Sequence, residues 1–261
     1  MELDRATQES LLSVQRWSDK LLSFRTTRAA AYRFMPGQFA RLGLMVKGEM
    51  VWRAYSITSA QDEAELEYYA VVVPQGLFTS ALAQLRPGDP IWVDKLSYGF
   101  MTVDRFEDGE DFWMFASGTG LGPFISILQQ RQVWQRFRHL VLVHGVRQAD
   151  ELSYQDTLRA LREQAAARQL PAQLHLVHAI TREWPVQQVA MTVQCHGRIT
   201  TLLSDGSLEH QLGLSISAEQ SRIMVCGNPG MITEVRELLR QRGLSPCRRG
   251  LGGQFITEDY W

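Results

Sequence analysis

Cysteine is scarce in this chain. Cys195, Cys226 and Cys247 are the only three thiols in 261 residues, and no two of them stand in a Cys-x-x-Cys spacing. Three cannot all pair, which argues against a disulfide framework, a zinc centre and a built-in iron–sulfur cluster, and fits a reducing compartment, the cytoplasm. An excess of one charge is also missing. Lys and Arg number 27 against 28 Asp and Glu, a net charge of −1, so no global field draws the chain to nucleic acid or to a membrane surface. No apolar run approaches the roughly 18 residues that span a bilayer. Met1–Ser10 carries Glu2, Asp4 and Arg5 where a secretory signal would be apolar. What is present, 45% hydrophobic and 21% charged residues, is the balance of a globular protein long enough for two modest domains or one large one.

The N-terminal part reads as strands. Apolar-rich runs at Leu11–Trp17, Lys20–Thr27, Gln38–Val46, Val51–Ile57, Leu66–Val73 and Ile91–Lys95 are separated by Pro36-Gly37, Lys47-Gly48, Pro74-Gln75-Gly76 and Pro87-Gly88-Asp89. Short strands with such turn chemistry predict an antiparallel barrel or sandwich, interrupted by one helix at Thr79–Leu85. The acidic stretch Asp104–Asp111 reads as a linker or exposed turn and divides a β domain, 1–104, from a second domain, 105–261. Beyond it, Phe112–Ala116, Leu140–His144, Leu174–Ile180 and Ile223–Cys226 are short apolar runs expected of strands buried on both faces. Helical patterns at Pro123–Phe137, Ser153–Arg168 and Pro229–Arg242 alternate with them. This order predicts a doubly wound parallel α/β sheet, whose ligands bind beyond the carboxyl ends of the strands.

The loops at those ends are unusual. Ser117-Gly118-Thr119-Gly120-Leu121-Gly122-Pro123 follows a buried strand and opens a helix. Alternate glycines let a phosphate approach the backbone, and Pro123 suits a first helical turn, so the segment reads as a pyrophosphate cradle. It is not a P-loop, because no Gly-Lys-Ser/Thr follows, and it departs from Gly-x-Gly-x-x-Gly by an early third glycine. Arg147 follows the second parallel strand, Thr181-Arg182 the third, and Arg198 lies further on. A single arginine is usually a solvated charge, but two or three converging on one rim would grip a 2′-phosphate and select NADPH over NADH.

In the β domain, Arg53-Ala54-Tyr55-Ser56 closes a strand, where Arg53 and Tyr55 project to one face. Arginine can pair with a diphosphate, tyrosine can lie against an aromatic ring, and Ser56 can bond a ring or ribitol edge. Gly76-Leu77-Phe78-Thr79-Ser80 opens the expected helix, a second place for a diphosphate. Taken together, Arg53–Ser56, Ser117–Pro123, Cys226-Gly227-Asn228-Pro229 and the terminal Tyr260-Trp261 stand in the order and spacing of the ferredoxin–NADP reductase superfamily. The chain resembles its bacterial ferredoxin/flavodoxin–NADP reductases from nearly end to end.

The resemblance implies an FAD-binding antiparallel β-barrel followed by an NADP-binding α/β domain. It assigns Arg53, Ala54, Tyr55 and Ser56 to FAD, with Tyr69, Ala70, Val71 and Val72 along the flavin and Gly76, Leu77, Phe78 and Thr79 at its diphosphate. Gly118, Thr119, Gly120, Gly122, Arg147, Thr181, Arg182, Arg198, Cys226, Gly227 and Asn228 would hold NADP(H), with Thr119 serving both nucleotides. Cys226, a small buried hydrophobe by its residue type, would position the nicotinamide against flavin N5, Tyr55 and Ser56 would flank the ring, and Glu258 is a candidate proton relay. The tail would return to the flavin, with Trp261 over the adenine or the ring system. Cys195 and Cys247 match no motif.

The reaction expected is transfer of a hydride from NADPH to flavin N5, then single-electron release to a ferredoxin or flavodoxin. The flavin supplies the two-to-one conversion. Such partners are usually acidic, and Arg131, Arg136, Arg138, Arg248 and Arg249 form a candidate face for transient electrostatic docking by a monomer. The rival readings are an NADPH-dependent flavin reductase, an oxygenase reductase component, which the missing cluster domain disfavours, and a redox-sensing protein that binds FAD without turnover.

Overall fold

The computed structural model describes residues 3–184, 192–248 and 250–259. The chain divides into two compact units, Met1–Thr102 with Gly122–Gln129, and Val103–Leu121 with Gln130–Trp261.

The first unit holds β1 (Ala6–Arg16), β2 (Leu21–Thr27), β3 (Phe39–Val46), β4 (Glu49–Ser56), β5 (Glu65–Val71), α1 (Leu77–Leu82) and β6 (Pro90–Tyr98). The strands form one antiparallel sheet in the order β4-β3-β6-β1-β2-β5. Its two edges meet where Ile57 bridges Tyr68 and the Thr58 N–H donates to the Glu67 carbonyl at 2.8 Å. The curled sheet thereby becomes the expected barrel, without free edges along that line. Leu11, Leu22, Phe24, Leu42, Leu66, Tyr68, Ile91 and Val93 fill it, and α1 adds Phe78 and Leu82. Lys47 and Gly48 both take positive φ, 51° and 86°, and join β3 to β4 as a two-residue hairpin turn.

Two strands run longer than their apolar runs. The polar start of β1, Ala6–Ser10, pairs with β6, and the rest of β1 pairs with β2. β6 continues to Ser97 and Tyr98, which pair with Ala40 and Phe39 beyond a register shift in β3. Backbone pairing across the barrel carries these residues, with little apolar pattern to announce them.

The second sheet holds β7 (Asp111–Ser117), β8 (His139–Val146), β9 (Gln173–Ile180), β10 (Thr192–His196), β11 (Ser221–Gly227) and β12 (Phe255–Asp259). All pairs are parallel, in the order β10-β9-β8-β7-β11-β12. Its helices are α3 (Arg131–Arg136), α4 (Gln155–Ala167), α5 (Ile199–Ser204), α6 (Ser207–Leu212) and α7 (Pro229–Gln241), whereas α2 (Gly122–Leu128) belongs to the first unit. One face of the sheet, with Trp113, Phe115, Val141, Val143, Val177, Ala179 and Val225, packs on Leu202, Leu208, Val235 and Leu239 of α5, α6 and α7. Strand order reverses at β7, between β8 and β11, so the ligand crevice of this sheet type opens there.

Three expectations are corrected. The helix expected over Pro123–Phe137 is two helices, because Gln129 ends the first. Its N–H donates to the Ser126 carbonyl, and its side chain, bonded to Thr58 at 2.7 Å, takes the Ile125 carbonyl at 3.2 Å that helical bonding would otherwise use. The expected tail contains β12, paired along β11. The acidic stretch is not a free linker. Arg136 donates to the carbonyls of Val103, Phe106 and Asp108, and the nearly buried Arg222 pairs with the Asp108 carboxylate. That commitment also removes Arg136 from the docking set, of which Arg131, Arg138 and Arg248 are exposed and Arg249 lies outside the described residues.

Candidate active site

At the carboxyl ends of β7 and β11 two loops touch backbone to backbone. A Cβ on Gly120 would stand 2.3 Å from the Cys226 carbonyl oxygen, and one on Gly227 would stand 2.2 Å from Ser117 Oγ. Gly227 also takes φ +134°, a conformation that other residues rarely adopt. The Ser117 hydroxyl accepts the Asn228 N–H at 2.8 Å. Asn228 then caps α7, its side-chain oxygen accepting from Gly230 N at 2.9 Å and Met231 N at 3.3 Å, with Pro229 in the first turn. Gly118, at φ +54°, starts the short 3-10 segment Gly118–Leu121.

Register aligns a row of functional groups across the sheet at this level. Glu258 pairs with Cys226, Cys226 with Ala116, Ala116 with His144, His144 with His178, and His178 with Gln194. Register partners share a face, opposite the face that meets α5–α7. Cys226 and His144 are buried, as is His178. Burial pushes both imidazoles down to about 4, with each other's proximity adding to the shift at His178. His144 Nε2 lies 3.1 Å from the Gly118 carbonyl.

The next loops form a cleft of about 680 Å³ lined by Arg147, Thr181, Arg182, Gly197, Arg198 and Thr201. The three arginines and Thr181 expected from sequence therefore meet on one surface. Arg147 is held by Glu151 through its backbone N–H at 2.8 Å and its guanidinium at 2.7 Å, and this partner draws the Glu151 carboxyl below its ordinary range. Arg182 and Arg198 are both exposed.

In the first unit, Arg53 is exposed and donates to the Trp52 carbonyl at 2.7 Å. The Tyr55 ring packs against Phe78 and the edge of Phe24, and burial raises its hydroxyl above the ordinary phenol range. Ser56 Oγ and Thr58 Oγ1 are buried without a hydrogen-bond partner among the described residues. A Cβ on Gly122 would lie 3.1 Å from Thr58 Cγ2 and 3.8 Å from Tyr69 Cβ. Ala70, Phe78 and Val72 belong to the barrel core, whereas Leu77 is 55% exposed. Thr79 Oγ1 accepts the Val73 N–H at 3.1 Å and closes the turn at Gly76. Tyr260 and Trp261 lie outside the described residues.

Residues 12–95 match the family model for the oxidoreductase FAD-binding domain, and residues 114–237 match the oxidoreductase NAD-binding domain. The chain is 38% identical to the flavodoxin/ferredoxin–NADP reductase of Shigella flexneri over 95% of its own length and 96% of that protein's. It is 37% identical to the ferredoxin–NADP reductase of Azotobacter vinelandii, covering 96% and 95%. The chain belongs to the ferredoxin–NADP reductase family. The crystal structure of a ferredoxin NADP+ reductase from Neisseria gonorrhoeae with bound FAD and NADP is 35% identical and superposes with a TM-score of 0.87 over 98% of each chain.

For a ferredoxin–NADP reductase, the residues present fit both nucleotides. Two buried hydroxyls without hydrogen-bond partners among the described residues, Ser56 and Thr58, and the exposed guanidinium of Arg53 suit the polar edge and diphosphate of a flavin nucleotide. The arginine cleft and the glycine positions of the two loops suit an extended dinucleotide phosphate. Sequence reasoning missed Ser117, His144, Glu151 and Thr201. Ser117 stands inside the glycine-rich loop and His144 ends an apolar run, and a serine or histidine beside a glycine gives no pattern of its own.

Proposed function

We propose that this chain is a FAD-dependent reductase that carries electrons between NADPH and a ferredoxin or flavodoxin. The observation that carries the NADPH half is the convergence of Arg147, Arg182 and Arg198, with Thr181, on one cleft next to the glycine-locked loops. Arginine forks bind a phosphate through paired, charge-assisted donors, and NADP carries a 2′-phosphate that NAD lacks. The FAD domain is proposed as residues 1–104 and the NADP domain as 105–261.

When bound, FAD supplies the exchange between the paired electrons of NADPH and the single electrons of the partner protein. The chain's own residues bind, orient and exclude water. Arg53 neutralises the flavin diphosphate, and Ser56 Oγ offers the ring edge a hydrogen bond from a buried position. Tyr55, Tyr69, Ala70, Val71 and Val72 form its wall, Ala70 and Val72 chiefly through backbone, and Gly76–Thr79 turn a diphosphate-facing backbone. Gly118, Thr119, Gly120 and Gly122 carry the NADP pyrophosphate, Cys226, Gly227 and Asn228 orient the nicotinamide, and Glu258, the register partner of Cys226, relays a proton. Among the described residues no helix is long and apolar enough to cross a membrane. With Cys195, Cys226 and Cys247 outside any disulfide, this supports a protein working in the cytoplasm, taken here as a monomer that meets acidic protein carriers through the exposed Arg131, Arg138 and Arg248.

Purified protein is expected to absorb as a flavoprotein, to bleach on NADPH addition and to pass electrons to ferredoxin or flavodoxin, with kcat/KM for NADPH at least about 100-fold above that for NADH. A colourless folded protein that refuses FAD sinks the proposal, and equal use of the two nicotinamides removes the role of the cleft.

A further inference from the structure

His144 stands on β8, 1% exposed, yet no step above uses it. Its Nε2 lies 3.1 Å from the carbonyl of Gly118, and its Nδ1 meets no hydrogen-bond partner among the described residues. A carbonyl only accepts, so Nε2 carries the proton and the ring is the neutral tautomer with a bare Nδ1. His178, its register partner on β9, is buried with its own Nδ1 also unpartnered. A charge on either ring would lie next to the other without water, which holds the pair neutral and the tautomer fixed.

This one bond sets a peptide plane. Gly118 has φ +54°, the turn where the chain leaves β7. In a trans peptide the carbonyl of one residue and the N–H of the next point in opposite directions. Drawing the Gly118 carbonyl inward to His144 therefore turns the Thr119 N–H outward. Thr119 stands in the first turn of the Gly118–Leu121 segment, where an N–H has no partner within the helix.

We propose that His144 is a positioning residue for the dinucleotide: its Nε2–H holds the Gly118 carbonyl and so presents the Thr119 N–H as a fixed donor to the nucleotide's pyrophosphate. The inference rests on the NADP(H) reading above. It adds a residue that never touches the nucleotide, placed in the layer beneath the loop.

The test compares His144→Gln, whose amide nitrogen reaches about as far as Nε2, with His144→Asn, which is equally polar but too short. In the FAD-loaded protein, NADP+ and adenosine 2′-monophosphate are titrated against the flavin spectrum or by calorimetry. Adenosine 2′-monophosphate addresses the arginine cleft and lacks the pyrophosphate. The Asn variant is expected to bind NADP+ about tenfold more weakly than the Gln variant, the size of one lost hydrogen bond. KM for NADPH should rise with kcat changing less, and the two variants should bind adenosine 2′-monophosphate within about twofold of each other. Equal NADP+ affinities in the two variants, whether both strong or both weak, overturn the inference, as does a parallel loss of adenosine 2′-monophosphate. Should Asn not fold, Thr119→Pro, which deletes the donor itself, must weaken NADP+ by a similar factor, and unchanged affinity there also overturns it. Failure of the underlying reading shows differently, as wild-type protein that binds no NADP+, and it takes this inference with it.

Discussion

Gly227 and Ser117 illustrate how little room the rim allows a single atom. Gly227→Ala places a methyl group 2.2 Å from Ser117 Oγ at a φ of +134°. Overpacking and backbone strain together are expected to cost about 3 kcal/mol, read as a lower urea midpoint, with NADP+ affinity falling alongside. A variant as stable as wild type contradicts the contact. The arginines of the cleft are expected to rank. Arg182→Ala and Arg198→Ala should each lower kcat/KM for NADPH by about 10- to 100-fold and leave NADH nearly unchanged. Arg147→Ala should cost less, because Glu151 already holds that guanidinium at 2.7 Å and a phosphate must compete with it. If Arg147 proves the largest of the three, the Glu151 pair does not persist in the complex. Arg147 and Arg182 were legible because each follows an apolar strand, whereas Arg198 stands beyond β10, a strand without an apolar run to announce it. Glu151 was not, since a lone acid four residues on is ordinary surface chemistry.

At the level of strands and helices, the buried histidines give β8 and β9 a pH dependence. Folded His144 and His178 titrate at about 4, below the ordinary histidine value of 6.5. Between those values the unfolded chain binds more protons than the folded one, so stability is complete above about 6.5 and falls as pH drops toward 4. The loss should approach about 3 kcal/mol per histidine as an upper bound, and it should shrink in His178→Gln. Urea midpoints measured from pH 7.5 to 4.5 check it, and identical slopes for both proteins count against it. Asn228→Ala removes the cap of α7 and should cost about 1 kcal/mol, visible in thermal melts. The same scale explains what the sequence showed. Phe112–Ala116 is apolar on both faces and announces a central strand, and Lys47-Gly48 announces a hairpin. β10 reads Thr-Val-Gln-Cys-His and lies at the sheet edge, where one side needs no apolar partner. β12 is an equally short edge strand, and the start of β1 is polar because its order comes from cross-barrel pairing.

For the molecule as a whole, charge decides how a protein carrier is met. With a net charge of −1, attraction to an acidic carrier must come from a local patch, and the rate of carrier reduction is expected to fall severalfold from low to high salt. Charge reversal at Arg131 and Arg138 should flatten that dependence, and an unaltered slope excludes this face. Arg136→Ala should act otherwise, destabilising the fold by about 2 kcal/mol because three backbone carbonyls lose their donor, with the salt slope kept. The two-unit plan was legible from the change between alternating strands with tight turns and strand–helix repeats. The assignment of Gly122–Gln129 to the first unit was not, because it depends on Ser126 and Gln129 bonding to the carbonyls of Ser59 and Thr58, a match between segments far apart in sequence.

The parallel pairing of β12 with β11 bears on how the protein is handled. Asp259 lies opposite Gly227, and Glu258 opposite Cys226, so a tag or fusion partner joined directly after Asp259 is expected to crowd the loop that Gly227 opens. A preparation labelled there would report on its own appendage as much as on the enzyme.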